Sequence, residues 1–224
     1  MSFITAKNII KEFIVEKNTI RALGPVSLEI QRGSFTVILG RSGSGKSTFL
    51  NLMAGLDTPT SGSLIVDDKD LSHYNSKQLA KYRSGVGVIF QSYNLLPNLN
   101  TLENILMGSW AGGKKGDKDQ AMNLLKLVGL EHRANANVKT LSGGEKQRVA
   151  ICRALMDDPK ILFCDEPTGA LDTANENQVK DLLIKLNKEQ GITIVMVTHN
   201  PEFAGIAGRI VTMKDGKIDK IERG

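Results

Sequence analysis

Gly40-Arg41-Ser42-Gly43-Ser44-Gly45-Lys46-Ser47-Thr48 is the stretch that decides how the rest of the chain is read. A glycine, four residues and then Gly-Lys-Ser is the P-loop spacing. The apolar run Phe35 to Leu39 precedes it, and a helical stripe of Phe49, Leu52, Met53 and Leu56 follows, so the loop lies between a predicted strand and a predicted helix. Glycines let backbone N–H groups curl round a phosphate chain, and the start of the helix adds a favourable dipole. Lys46 is placed to reach the β and γ phosphates, and the Ser47 hydroxyl to hold Mg²⁺.

Outward from this loop the chain alternates strand and helix. Phe35 to Leu39, Val86 to Phe90, Lys160 to Cys164 and Ile192 to Val197 are short, apolar and not alternating, as strands buried on both faces of a parallel sheet are. Between them lie helical stripes at Leu124, Leu125, Leu127 and Val128, at Val149, Cys152, Leu155 and Met156, and at Val179, Leu182, Leu183 and Leu186. That order predicts an α/β fold with a mostly parallel sheet. Residues 2–31 read as antiparallel strands of a side sheet, with Gly24-Pro25 breaking them as a turn does. The stretch from 101 to 156 has no convincing strand and predicts an inserted helical subdomain, about residues 95–158. Asp215-Gly216 predicts a terminal hairpin, and Gly112 to Asp119 a mobile surface loop.

Several polar residues follow the apolar runs. Lys160 to Glu166 (KILFCDE) is a strand ending in two acids, and the carboxyl ends of parallel strands are where such sheets bind ligands. Asp165 is expected beside the metal, with Glu166 free to orient or deprotonate a water. Gln91 and His199 end two other strands and converge on the same crevice. Leu141-Ser142-Gly143-Gly144-Glu145 has capping-box spacing ahead of a helix. A simple cap needs no pair of glycines, and two at a helix start suit close approach of backbone to an anion. The chain therefore carries a second candidate phosphate site, about a hundred residues after the first.

GRSGSGKST, Phe90-Gln91, LSGGE, FCDEP, Ala170-Leu171-Asp172 and Thr198-His199 occur in the order and spacing of the ABC ATPases, which the chain resembles over essentially its whole length. The resemblance implies a P-loop NTPase core with an N-terminal antiparallel β subdomain and an inserted α-helical subdomain, within one ABC ATPase domain over residues 1–224. It implies ATP and Mg²⁺ as cofactors and a head-to-tail homodimer. Each ATP would lie between the P-loop of one copy (Gly40 to Thr48) and Ser142, Gly143, Gly144 and Glu145 of the other. Phe13 takes the adenine-stacking position, Gln91 the Q-loop glutamine at the metal, Asp172 the D-loop aspartate and His199 the switch histidine. DTPTSG at 57–62, FQSYNLLPNLNTLEN at 90–104 and DEPTGALD at 165–172 are similar to the lipoprotein-release, macrolide-exporter and antimicrobial-peptide-exporter branch. Departures are Phe13 for the commoner Tyr, Lys139-Thr140 where a proline is frequent, and the glycine-rich 108–118 stretch.

The chain has 224 residues, 41% hydrophobic and 24% charged, which excludes collagen, coiled coil and disorder. Two cysteines make no disulfide framework and sit in no metal-like spacing. No secretory leader or membrane-length apolar run is read, so a cytoplasmic protein is expected, held at the inner face of the cell membrane by a partner. That partner is expected to be an integral permease with an extracytoplasmic domain, docking near Tyr93 to Leu99 (Tyr93, Leu95, Leu96, Pro97 and Leu99). The leading reading is the ATP-hydrolysing subunit of a membrane transporter or mechanotransmission complex. The alternative is a soluble ABC ATPase acting on DNA or ribosomes. The net charge of +5 comes from bases interleaved with acids, without accompanying aromatics, so no nucleic-acid partner is expected. Against a GTPase or small-molecule kinase, the chain has no guanine-reading Asn-Lys-x-Asp run (Asn187-Lys188 is followed by Glu-Gln), and LSGG would go unexplained.

Overall fold

The structure, a computed structural model, describes residues 2–110 and 113–223. In chain order the elements are β1 (Ser2–Val15), β2 (Asn18–Gln31), β3 (Phe35–Leu39), α1 (Lys46–Met53), β4 (Ser61–Val66), β5 (Lys69–Asp70), α2 (Ser76–Arg83) and β6 (Gly87–Phe90). Then come α3 (Thr101–Trp110), α4 (Lys118–Leu127), α5 (Gly143–Leu155), β7 (Ile161–Asp165), α6 (Thr173–Gln190), β8 (Thr193–Thr198), β9 (Arg209–Lys214) and β10 (Lys217–Arg223). They build two sheets, a four-stranded antiparallel one in the order β2-β1-β4-β5 and a six-stranded one in the order β10-β9-β3-β8-β7-β6. The larger sheet is parallel from β9 to β6, with β10 closing it antiparallel through the Asp215-Gly216 hairpin.

Burial follows the sequence pattern. All six residues of β8 are buried, as are four of five in β3 and in β7, because both faces of the central sheet are covered. One face packs with α1 and the antiparallel sheet through Phe49, Leu52, Met53, Phe163 and Val195. The other packs α5 and α6 through Ile151, Leu155, Val179, Leu183 and Met196. A third cluster, with Leu102, Ile105, Leu125, Val149 and Cys152, holds α3, α4 and α5 together. Val149 and Cys152 thus face the helical lobe while Ile151 and Leu155 face the sheet, so α5 is apolar on two sides. At Gly108 a Cβ would overlap the Arg153 carbonyl, so the first glycine of the glycine-rich stretch permits the close approach of α3 and α5.

Local readings differ from the structure in four places. Gly24-Pro25 is no turn. It lies inside β2 as a cis peptide, and the reversal is at Glu16-Lys17. Gly24 has φ of 107°, and a Cβ there would collide with the Ile9 carbonyl of β1, so the glycine serves a tight inter-strand approach. Leu56 is 40% exposed because α1 has ended at Met53. Of the expected surface loop, Gly112 lies outside the described residues, and Asp117 caps α4, which takes in Lys118 and Asp119. Helix α2 was not expected, since only Leu79 and Tyr82 are buried along it. Its one sequence signal was the reciprocal Asn75–Gln78 capping box.

Strand register is what builds the site. Phe90 pairs with Asp165, Asp165 with Val197, Val197 with Ile38 and Thr198 with Leu39. The residues one step further, Gln91, Glu166, His199 and Gly40, therefore emerge side by side along one edge of the sheet.

Candidate functional site

The P-loop closes over the start of α1. Gly45 adopts φ of 92°, in the left-handed region that glycine enters without strain, and caps the helix without a side chain. Lys46 is nearly buried, and its ammonium donates to the Gly40 carbonyl at 2.8 Å and the Arg41 carbonyl at 3.1 Å. The cleft above has a volume of about 880 Å³. Its walls include Ser42 to Thr48, Gln91, Asp165, Glu166 and His199. On the other side stand Ile20, Arg21 and Ala22 of β2 and the Asp215-Gly216 turn. The motif residues of four separate chain segments thus share one concave surface.

The two acids at the end of β7 have different surroundings. Asp165 accepts from the Ser47 hydroxyl at 2.9 Å. Burial raises its pKa above the ordinary carboxylate value, with the Glu166 charge adding to the rise, and the Ser47 hydroxyl and Lys46 opposing it. A carboxyl whose ionised form is disfavoured by burial gains most from a cation. Among the described residues no cluster of three or more His, Cys, Asp and Glu side chains could hold a metal alone. One carboxylate and one hydroxyl at hydrogen-bond distance fit Mg²⁺, which keeps several waters and takes phosphate oxygens as ligands. They do not fit a metal caged by protein alone.

Glu166 lies in the left-handed region at φ of 45°, uncommon for a residue with a side chain. Its backbone N–H still bonds to the Val197 carbonyl at 3.0 Å, so the turn out of the sheet is made at this residue itself. The turn aims the carboxylate across the strand ends. Oε2 accepts from the Thr198 hydroxyl at 3.0 Å and the His199 N–H at 3.3 Å, and lies 3.0 Å from His199 Nδ1. Glu166 and His199 therefore form a pair, the histidine side chain 66% exposed toward the cleft.

Ser142, Gly143, Gly144 and Glu145 do not belong to the walls of this cleft. Ser142 and Glu145 form the full capping box, with Glu145 N–H to Ser142 Oγ at 3.2 Å and Ser142 N–H to Glu145 Oε2 at 2.8 Å. Burial raises the Glu145 pKa, but the Ser142 N–H and the Arg133 charge outweigh it and hold the carboxyl below its usual value. Gly144 has a second reason to be glycine: a Cβ there would overlap Asn175 Oδ1 on α6. Asn175 in turn donates from its backbone to Asp172 Oδ1 at 2.9 Å and from its amide to Oδ2 at 2.8 Å. Those two bonds hold the Asp172 carboxyl below its ordinary pKa. Asp172 and the Ser142–Glu145 turn therefore touch the same side chain, which no linear pattern revealed.

Phe13 is 41% exposed and is not a wall of the cleft; its cross-strand partner Ile20 is. The walls from Ile20, Arg21, Ala22 and Asp215-Gly216 were missed from sequence, although the hairpin turn at 215–216 was legible as a turn. Cys152 and Cys164 are both buried. Burial pushes the Cys152 thiol up to about 12 and the Cys164 thiol higher still, so neither is a nucleophile at neutral pH.

A sequence profile of the ABC transporter family matches residues 23–169. The chain is 41% identical over 218 residues to the lipoprotein-releasing system ATP-binding protein LolD of Syntrophus aciditrophicus (strain SB), covering 96% of this chain and 98% of that one. It is 44% identical to the macrolide export ATP-binding/permease protein MacB of Campylobacter fetus subsp. fetus (strain 82-40), covering 96% of this chain and 34% of that longer protein. Among solved structures, the dimeric post-hydrolysis state of the ATP-binding cassette MJ0796 bound to ADP and Pi superposes with a TM-score of 0.90. The two are 40% identical, with 98% of each chain covered.

Proposed function

Because this chain belongs to the ABC transporter family, as an ATP-binding and ATP-hydrolysing cassette, we propose that two copies enclose ATP between the P-loop of one and the Ser142–Glu145 turn of the other, and that a membrane permease takes up the resulting motion. One observation carries the proposal. The P-loop, Asp165, Glu166, Gln91 and His199 share one open cleft, while the second glycine-containing helix start is not among its walls. A phosphate site with no wall on one side is completed by a second copy. The dimeric form of MJ0796 supports this arrangement. No feature of the site supports the DNA or ribosome alternative.

Within the cleft, backbone N–H groups of residues 42 to 48 bind the phosphate chain. The Lys46 ammonium, already turned into the loop, exchanges its carbonyl partners for phosphate oxygens. Ser47, Asp165 and Gln91 are the residues that would hold Mg²⁺, which neutralises charge on the phosphates when bound. Glu166 takes the attacking water, and His199, 3.0 Å from Glu166, stands on the same, attacking side of the γ phosphate. Phosphoryl transfer leaves little covalent work for the protein, so positioning and charge are the contribution of these groups. Ile20 to Ala22 near the start of β2, and Phe13, would receive the base, Phe13 by stacking.

The MacB relative carries an ATP-binding part and a permease in one chain, and the described residues here contain no helix long and apolar enough to cross a membrane. A separate permease, with the extracytoplasmic domain expected for the branch, would hold the cassette at the inner face of the membrane. Its docking surface is proposed near Tyr93 to Leu99. There the edge strand β6 and helix α3 leave a groove of about 310 Å³ walled by Val86, Val88, Phe90, Asn94 and Met107. The segment is held from below, since Arg153 donates to the Tyr93 carbonyl at 2.8 Å and also bonds the Asn94 carbonyl. Leu95 packs into the helical lobe, while Leu96 is 43% exposed. Leu96→Glu is expected to weaken association with the permease by roughly thirtyfold, or about 2 kcal/mol. Basal ATPase of the purified cassette should stay within about twofold, as for a surface change away from the chemistry. Co-purification and transport by the intact complex are the readouts, and an unaffected complex would place the docking surface elsewhere.

A further inference from the structure

Glu176 stands one turn into α6, four residues after the helix cap Asp172, where a negative charge suits the helix dipole. It has a more specific task than that. Its Oε1 accepts from the Thr168 hydroxyl at 3.1 Å and from the Asn200 side-chain amide at 2.8 Å. Thr168 is 5% exposed and lies two residues after Glu166, on the turn closed by the Gly169 N–H to Glu166 carbonyl bond at 3.1 Å. Asn200 follows His199 directly, and its backbone N–H donates to Thr198 Oγ1 at 3.1 Å. That same hydroxyl donates to Glu166 Oε2 at 3.0 Å. The bonds close a ring that runs from Glu166 to Thr198, Asn200, Glu176 and Thr168, and back along the chain to Glu166.

We propose that Glu176 is a positioning residue for hydrolysis, one carboxylate oxygen that fixes the loop behind Glu166 and the loop behind His199 to each other. The proposal rests on the reading of Glu166 and His199 as the pair that handles the attacking water. The geometry argues for it in two ways. Glu166 and His199 emerge from different strands, and nothing in the β7–β8 ladder beyond Val197 sets the distance between their side chains. Glu166 also sits at positive φ, a conformation that surrounding contacts must hold in place. Glu176 supplies the hold from the side away from the cleft, without touching nucleotide itself.

Loss of the clasp lets the pair drift, and a displacement of about 1 Å in a reacting constellation is able to cost up to about a hundredfold in rate. Glu176→Ala is therefore expected to lower kcat by about tenfold to a hundredfold. The KM for ATP and the affinity for a fluorescent ATP analogue should stay within about twofold, because the P-loop is untouched. Glu176→Gln keeps an oxygen able to accept both bonds and is expected to recover most of the lost turnover. The experiment compares steady-state ATPase, analogue affinity and thermal midpoint for wild type, both Glu176 variants and Glu166→Gln, all as full chains. A kcat loss in Glu176→Ala that Glu176→Gln restores, with affinity unchanged, upholds the proposal. A Glu176→Ala protein with wild-type kcat overturns it, as does a loss in which affinity and kcat fall together. Active Glu166→Gln would instead strike at the assignment of Glu166, on which the proposal rests. Should Glu176→Ala fail to fold, Thr168→Val and Asn200→Ala each remove one arm of the clasp; unchanged kcat in both then overturns it.

Discussion

Glu166→Gln should reduce steady-state ATP turnover by about 10²–10⁴-fold, the range that general-base assistance supplies, while ATP affinity stays close to that of the wild type. The amide is isosteric, and its carbonyl oxygen still accepts from the Thr198 hydroxyl and the His199 N–H, which Glu166 Oε2 binds at 3.0 Å and 3.3 Å. The positive φ at Glu166 and the ladder bond to Val197 are backbone features that the change leaves alone. What is lost is the ability to take a proton from water. Measured kcat and nucleotide affinity on the same preparation check this. Turnover within tenfold of wild type would move the water-activating role to another group.

The second large effect is expected at Gly144. Gly144→Ala adds a methyl group where Asn175 Oδ1 already lies. Asn175 is not free to swing away at no cost, because its amide and backbone both bond to Asp172 at 2.8–2.9 Å. Either α5 moves off α6, or Asn175 releases Asp172. The same methyl stands at a helix start whose backbone N–H groups are proposed to meet the partner's ATP. Loss of one preorganised anion-stabilising donor typically costs about 10²–10³ in kcat, and a drop of that order in ATPase is expected here. Binding of ATP to the isolated chain, which uses the P-loop cleft and not the Ser142–Glu145 turn, should be unchanged. Asn175→Ala in the Gly144→Ala background removes the two closest atoms, Oδ1 and Cγ, and leaves only the Cβ at 2.8 Å. It should restore part of the packing, seen as a partly recovered thermal midpoint, without restoring turnover, since the side-chain bond to Asp172 Oδ2 is gone and only the backbone bond to Oδ1 remains.

These two sites show what could be read from the sequence and what could not. The P-loop, Asp165-Glu166, Gln91 and His199 were legible because each is a short pattern at the end of an apolar run. A parallel sheet then brings strand ends together whatever lies between them. The capping box at Ser142 and Glu145 was legible for the same local reason. Gly144 was readable only as a glycine suited to an anion, since its contact with Asn175 joins residues on different helices. Glu176 carried no signal at all: its partners Thr168 and Asn200 come from two separate strand ends, and a lone glutamate in a first helical turn looks like dipole compensation. Gly24-Pro25 misled because a turn dipeptide within a long strand depends on the neighbouring strand's carbonyl, which no window of sequence contains. Phe13 was placed by resemblance, while the structure puts Ile20, its ladder partner, on the cleft wall.

In the proposed arrangement one chain holds two halves of two different sites, so that ATP itself joins the copies. Sedimentation of the Glu166→Gln protein tests it most directly, because a chain that binds ATP without cleaving it keeps the bridging ligand in place. Expected are a monomer without nucleotide, a species of twice the mass with MgATP, and a return to monomer with MgADP. A Glu166→Gln chain that binds one ATP per copy and still sediments as a monomer would contradict it.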